Sequence, residues 1–409
     1  MAIDENEAIN NDGILDNKIV EGRSSDADES DDTNVLIDDS SSAVSPDYKA
    51  FSGTAPVKKV SKYGLSESAK QLTKVYNGLF NGPDKMPEQI VYFGAPGTGK
   101  SFDIDKRLMK MKTRPQFIRR VIFHPDYSYG DFVGCIRPHK DDNGIDYRFE
   151  PGPLTSALKC AFENPQKDIY VVIEEINRGN AAAIFGDLFQ LLDREQSGRS
   201  KYQITNVDIA SEICKNKFLK PFFKDGKVWF PNNLNFLCTM NTADQNVFIL
   251  DSAFKRRFHM KYVKIDYEKM YVDKTLAGYI ATTVVFDGTK ALLDIFKDTE
   301  LEEYANQLDK EGRLLRNWPT FASLVNKVID IINRNEGEQI SEDKKLGAFY
   351  VLLDEISDKE MFADKVLYYL KQDVFKYIDN YFTDSYQTMY DNFVGGKTDI
   401  FELLLPGEN

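Results

Sequence analysis

The sequence predicts an α/β fold: a doubly wound parallel sheet built around a P-loop, followed by a helical region. Three observations carry that expectation. A short apolar run at 90–93 leads into Gly94, Ala95, Pro96, Gly97, Thr98, Gly99, Lys100 and Ser101, which fit G-x-x-x-x-G-K-[ST] without a gap. From there to about residue 265, strand-like and helix-like stretches alternate. Beyond 266 the strand-like runs stop, and apolar residues recur at helical spacing.

Taken in order, residues 1–65 are rich in Asp, Ser, Glu and Asn, too poor in apolar residues to build a core, and expected to be a disordered acidic tail. Within 66–88, Ala69, Leu72, Tyr76 and Leu79 follow a Ser66 cap at helical spacing, and Gly82-Pro83 stops the run. The α/β part is expected over 89–265. Its strands fall at 90–93, 120–123, 169–173, 235–240 and 260–265, its helices at 100–111, 154–162, 181–192 and 247–254. An insertion is expected over 197–231, with a tight hairpin turn at 224–227 before the strand-like Val228, Trp229 and Phe230. A helical lid and C-terminal region is expected over 266–409. There Phe321, Leu324, Val325, Val328, Ile331 and Ile332 form one apolar stripe, and Met361, Phe362, Val366, Leu367, Leu370 and Val374 a second. Both read as core.

Charge is unevenly placed. The chain of 409 residues carries −13, but residues 1–48 hold fourteen acids against Lys18 and Arg23, a net of −12. The remainder stands at −1, so bulk charge neither supports nor excludes nucleic-acid contact. Four scattered cysteines and three scattered histidines suggest neither a zinc site nor a disulfide framework, and suit a reducing cytosol. No apolar stretch reaches the ~18 residues of a membrane span, and the N-terminus lacks the layout of a signal peptide. A cytoplasmic protein without membrane contact is expected.

The residue types specify phosphate chemistry. Glycines let successive N–H groups of the loop point at one spot, and the next helix adds the positive end of its dipole. Lys100 is placed to reach the β- and γ-phosphates, and Ser101 to offer its hydroxyl to Mg²⁺. The apolar run before Glu174 and Glu175 ends in two carboxylates at the sheet's C-terminal edge: Glu174 to hold the metal, Glu175 to polarise water. The usual first acid is Asp, and Glu174 is one methylene longer. A third strand ends at Asn241, whose amide can hold the hydrolytic water. Arg256 and Arg257 close a short helix, where they also fit surface cations.

The order P-loop, EEINRGN (174–180), MNTAD (240–244) and LDSAFKRRF (250–258) resembles an AAA+ ATPase, and specifically the McrB family of restriction NTPases. Matching stretches are FHPDYSYGDFVG (123–134), FEPGPLTSALKCA (149–161), IFGDLFQLLD (184–193) and FPNNLNFLCTMNTAD (230–244), with a weaker echo at 342–347. The resemblance implies Walker A at Lys100 and Ser101, Walker B at Glu174 and Glu175, and sensor 1 at Asn241. Asn241 to Asp244 match its NTAD signature of nucleotide handling. It implies an arginine finger at Arg256 or Arg257 reaching a neighbour's γ-phosphate in a homo-oligomeric, hexameric ring. Arg178 is a second candidate trans contact, and Lys344 or Lys345 a candidate for sensor 2. Gln245 stands where the family usually has Arg.

McrB-type proteins generally carry a DNA-binding domain before the motor, where this chain has its acidic tail. DNA is then expected to be met through partners, first of them an McrC-like nuclease subunit. The substrate is ATP or GTP: the N-K-x-D guanine motif is lacking, and Asn326 to Asp330 is one residue too long for it. Two other readings stay open. One is a MoxR- or dynein-like protein-remodelling ATPase. The other is a nucleotide-gated scaffold with little turnover, motivated by Glu174.

Overall fold

The computed structural model describes residue 70 and residues 85–142, 144–223, 225–242, 247–272, 276–282, 290–334, 340–378 and 381–406. These lie within one compact unit, Tyr63–Asn409. The expected 66–80 helix falls almost wholly outside the described residues, as do the acidic tail, Asp244 and Gln245.

Five parallel strands form the central sheet: β1 (Gln89–Gly94), β2 (Ile118–Ile122), β5 (Ile169–Glu174), β8 (Leu234–Asn241) and β9 (His259–Tyr262), in the order β2-β5-β8-β1-β9. Alternate side chains of β5 serve two cores. Ile169, Val171 and Ile173 join the larger one with the helix α2 (Pro153–Glu163), while Tyr170 and Val172 face Ile104 and Leu108 of the helix α1 (Lys100–Lys110). Burial on both faces is the reason β5 reads as a continuous apolar run. Each large side chain so buried contributes roughly 1.5–3 kcal/mol. Register brings Gly94 opposite Asn241 and Ile122 opposite Glu174, so the ends that bear chemistry share one edge of the sheet.

Arg194 stitches the other end together. Its guanidinium donates to Gln89 Oε1 at 2.6 Å and to the carbonyls of Gly198, Phe230, Pro231 and Leu234. Burial pushes its pKa down to about 9, and the five acceptors keep it cationic near neutral pH.

The helical region has its own core around α4 (Trp318–Ile332), whose N-terminus is capped by Asn317 accepting from the Thr320 N–H. Both predicted stripes pack here except for Met361, which is exposed. Among the described residues no helix is long and apolar enough to cross a membrane.

One element goes unpredicted, and three local expectations need correction. A hairpin of β3 (Gly134–Asp141) and β4 (Gly144–Pro151) is absent from the expectations, although Ile145, Tyr147 and Phe149 alternate with polar residues in its second arm. The 181–192 helix breaks at Gly186, where φ is +53°, into Ala181–Phe185 and a 3₁₀ stretch, Gly186–Leu192. The 247–254 helix shrinks to α3 (Ser252–Lys255), because Asp251 caps it by accepting from the Phe254 N–H. Finally, the strand β7 (Lys227–Val228) pairs with β6 (Ile204–Thr205), beyond an intervening helix, and does not close a tight hairpin.

Candidate active site

The P-loop curls between β1 and α1. Lys100 is buried, and its ammonium donates to the carbonyls of Gly94 at 3.0 Å and Ala95 at 2.9 Å. Thr98 Oγ1 donates to the Ala95 carbonyl, which tightens the turn. The loop is also gripped from the helical region: the Gly347 N–H donates to the Pro96 carbonyl and the Phe349 N–H to that of Gly97. Approach is so close that a Cβ on Gly97 would sit 2.5 Å from the Tyr350 nitrogen, and one on Gly347 2.2 Å from the Gly97 carbonyl carbon. The 342–347 echo therefore touches the P-loop by backbone. The neighbouring lysines face elsewhere, Lys344 towards Asp373 and Lys345 to Asp330 and Glu342. Burial pulls Lys345 down, but hydrogen bonds to those two carboxylates outweigh it and raise its pKa.

The paired acids part company. Glu174 is buried, and its Oε2 accepts from Ser101 Oγ at 2.8 Å and Thr239 Oγ1 at 2.6 Å, while Oε1 accepts from Arg120 at 2.5 Å. Glu175 adopts left-handed backbone, φ +54°, which swings its side chain away from that of Glu174. Its Oε1 accepts from Asn241 Nδ2 at 2.6 Å, and its N–H donates to Thr239 Oγ1. Asn177 donates to the Asn241 carbonyl, and its own carbonyl accepts from the Phe248 N–H. The structure thus brings Glu175 to Asn241 and Ser101 to Glu174.

Ser101 and Glu174 offer hard oxygen donors, which fit Mg²⁺ completed by substrate phosphates and water. No group of three or more His, Cys, Asp or Glu among the described residues is placed to hold a metal. Beside Glu174, burial first and its charge second push the Cys238 thiol well above its ordinary pKa, so it stays protonated and inert.

The two arginines also separate. Arg257 turns inward, pairs with Asp193 at 2.7 Å, donates to the Ala253 carbonyl and lies 4.2 Å over the Phe189 ring. Arg256 is exposed, as is Arg178. Asn326 and Asp330 are occupied in the helical core: Asn326 holds Leu346 through both backbone groups, and Asp330 accepts from Lys345. Thr239 and Arg120 escaped sequence reasoning. Thr239 is, like Asn235, a buried polar residue inside an apolar strand, which is a usable signal, whereas Arg120 sits in no motif.

Comparison with known proteins adds an independent line. Residues 89–258 match the AAA domain of the dynein-related subfamily. The chain is 34% identical over 317 residues to the type II restriction enzyme BsuMI component YdiS of Bacillus subtilis, covering 71% of this chain and 80% of that one. It is 31% identical over 174 residues to the type IV methyl-directed restriction enzyme EcoKMcrB subunit of Escherichia coli, covering 42% of this chain and 34% of that one.

Proposed function

The chain belongs to the McrB-like AAA+ family and is an NTP-hydrolysing enzyme, and from that premise we propose that it is the ring-forming motor of an McrBC-like anti-phage restriction complex. It hydrolyses ATP or GTP with Mg²⁺ in the cytoplasm and powers a separate, McrC-like nuclease subunit, meeting DNA through partners. The N–H groups of the 94–101 loop, which Pro96 alone lacks, cradle the phosphates, and Lys100 pairs with the β- and γ-oxygens. Ser101 and Glu174 would hold the metal, which when bound would neutralise developing phosphate charge. Glu175, oriented by Asn241, takes a proton from the attacking water. Asp244 contributes to nucleotide handling, and Arg256 is the finger that enters a neighbour's site.

The observation that supports this reading best is the division of the adjacent acids, Glu174 towards Ser101 and Glu175 towards Asn241. It also weakens the scaffold alternative, since the extra methylene of Glu174 does not prevent contact with Ser101. The test is phosphate release from ATP and from GTP by the parent, Lys100→Ala and Glu175→Gln chains. Lys100→Ala is expected to lose nucleotide binding. Glu175→Gln should bind as the parent does yet turn over roughly 10²–10⁴-fold more slowly. A parental rate in Glu175→Gln would remove the base assignment. Purification of the tagged chain from its native host should retain a nuclease subunit; retention of protein clients without one would favour the remodelling reading.

A further inference from the structure

We infer that Arg120 is a positioning residue for the metal-side carboxylate, holding Glu174 so that one of its oxygens stays on Ser101. The inference rests on the reading of Ser101 and Glu174 as the Mg²⁺ pair. Glutamate has one more rotatable bond than the aspartate usual at this place, so its carboxylate needs a further restraint to stay in reach of the hydroxyl. The structure supplies one. Arg120 donates to Glu174 Oε1 at 2.5 Å, while Ser101 and Thr239 both donate to Oε2.

The other arm of the guanidinium pairs with Asp105. Ser101 and Asp105 lie four residues apart on α1, one turn apart on the same face. Ser101, Glu174, Arg120 and Asp105 therefore close a ring that ties the P-loop helix to the end of β5 beside the metal position. Arg119, the preceding residue, points the other way and donates to the carbonyls of Gln116 and Ile118. It is a built-in control. A bidentate guanidinium suits the task because its planar fork fixes direction as well as distance. Its contacts are with Glu174 and Asp105, so its influence on the metal position passes through Glu174.

The test titrates Mg²⁺ into the full chain with a fluorescent ATP or GTP analogue and reads the midpoint, beside nucleotide affinity in EDTA and thermal melting. Arg120→Ala should raise the Mg²⁺ midpoint about 10-fold or more, the usual scale for losing an outer-shell partner of a metal ligand. Affinity in EDTA should stay at the parental value, and Arg119→Ala should leave the midpoint in place. In a Glu174→Asp background, whose shorter acid falls away from Arg120, the same change should add little. An unmoved midpoint in Arg120→Ala, or an equal shift in both backgrounds, overturns the inference. Where Arg120→Ala does not melt cooperatively, Asp105→Asn carries the test: it frees one arm of the guanidinium and should raise the midpoint by less, and no rise overturns the claim. A parent chain that binds nucleotide with no response to Mg²⁺ would instead remove the metal pair itself, and the inference with it.

Discussion

The sheet edge and the segment around α3 treat their charged groups in opposite ways. At the sheet edge Glu174 and Glu175 find partners within the chain, in Ser101, Thr239, Arg120 and Asn241. Around α3 the two arginines divide, Arg257 inward to Asp193 and Arg256 outward and exposed. In the proposed function, the phosphate and metal side of the site would thus be organised within one chain. Arg256, the finger of the proposed reading, is exposed, which suits a site shared between subunits. Neighbouring identical residues need not have equivalent roles.

The sharpest way to break this contrast is Arg256→Ala. Nucleotide affinity should remain, while turnover falls by roughly 10³–10⁵-fold, the scale of a trans-acting arginine. Mixed with Lys100→Ala subunits, which still carry Arg256, the variant should regain hydrolysis. Co-assembly without rescue would show that the site is completed in cis. A smaller effect, of another kind, is expected at Arg257. Arg257→Met should cost roughly 2 kcal/mol of stability, as for loss of a partly buried charged hydrogen bond, visible as a lower melting temperature. Asp193→Asn should lower it in the same direction. A melting temperature equal to the parent's in both would return Arg257 to the list of candidate fingers. The smallest effect belongs to Thr239→Val, which removes the hydroxyl shared by the two acids at little change in volume. About 1 kcal/mol of stability should go, together with part of the turnover. Unchanged turnover would mean that the acids are held well enough by their other partners.

How much of this was legible beforehand depends on where the information lies. The P-loop, the double acid and the strand end at Asn241 are each local patterns, readable over a few neighbouring residues, and parallel strands buried on both faces announce themselves as apolar runs. The Arg120–Glu174 contact joins residues 54 positions apart through sheet register, which no local pattern encodes. The split between Arg256 and Arg257 depends on the turn that Asp251 imposes and on Asp193, also distant in sequence. The truncated 247–254 helix teaches the same lesson, since apolar spacing alone does not reveal which Asp will act as a cap. At 342–347 the sequence drew attention to the lysines, but it is Gly347 that meets the P-loop.

That last contact has a mechanical side. The helical region holds the phosphate loop by main-chain atoms, at Pro96 and Gly97 on one side and Gly347 and Phe349 on the other. A lever coupled through the backbone transmits displacement whatever side chains surround it, so a rotation of the helical region pulls on the loop directly. It is also hidden from alanine scanning, because replacing Phe349 or Tyr350 leaves the N–H and C=O groups in place. The substitutions that would uncouple it are those at Gly97 and Gly347, where even one added carbon meets backbone.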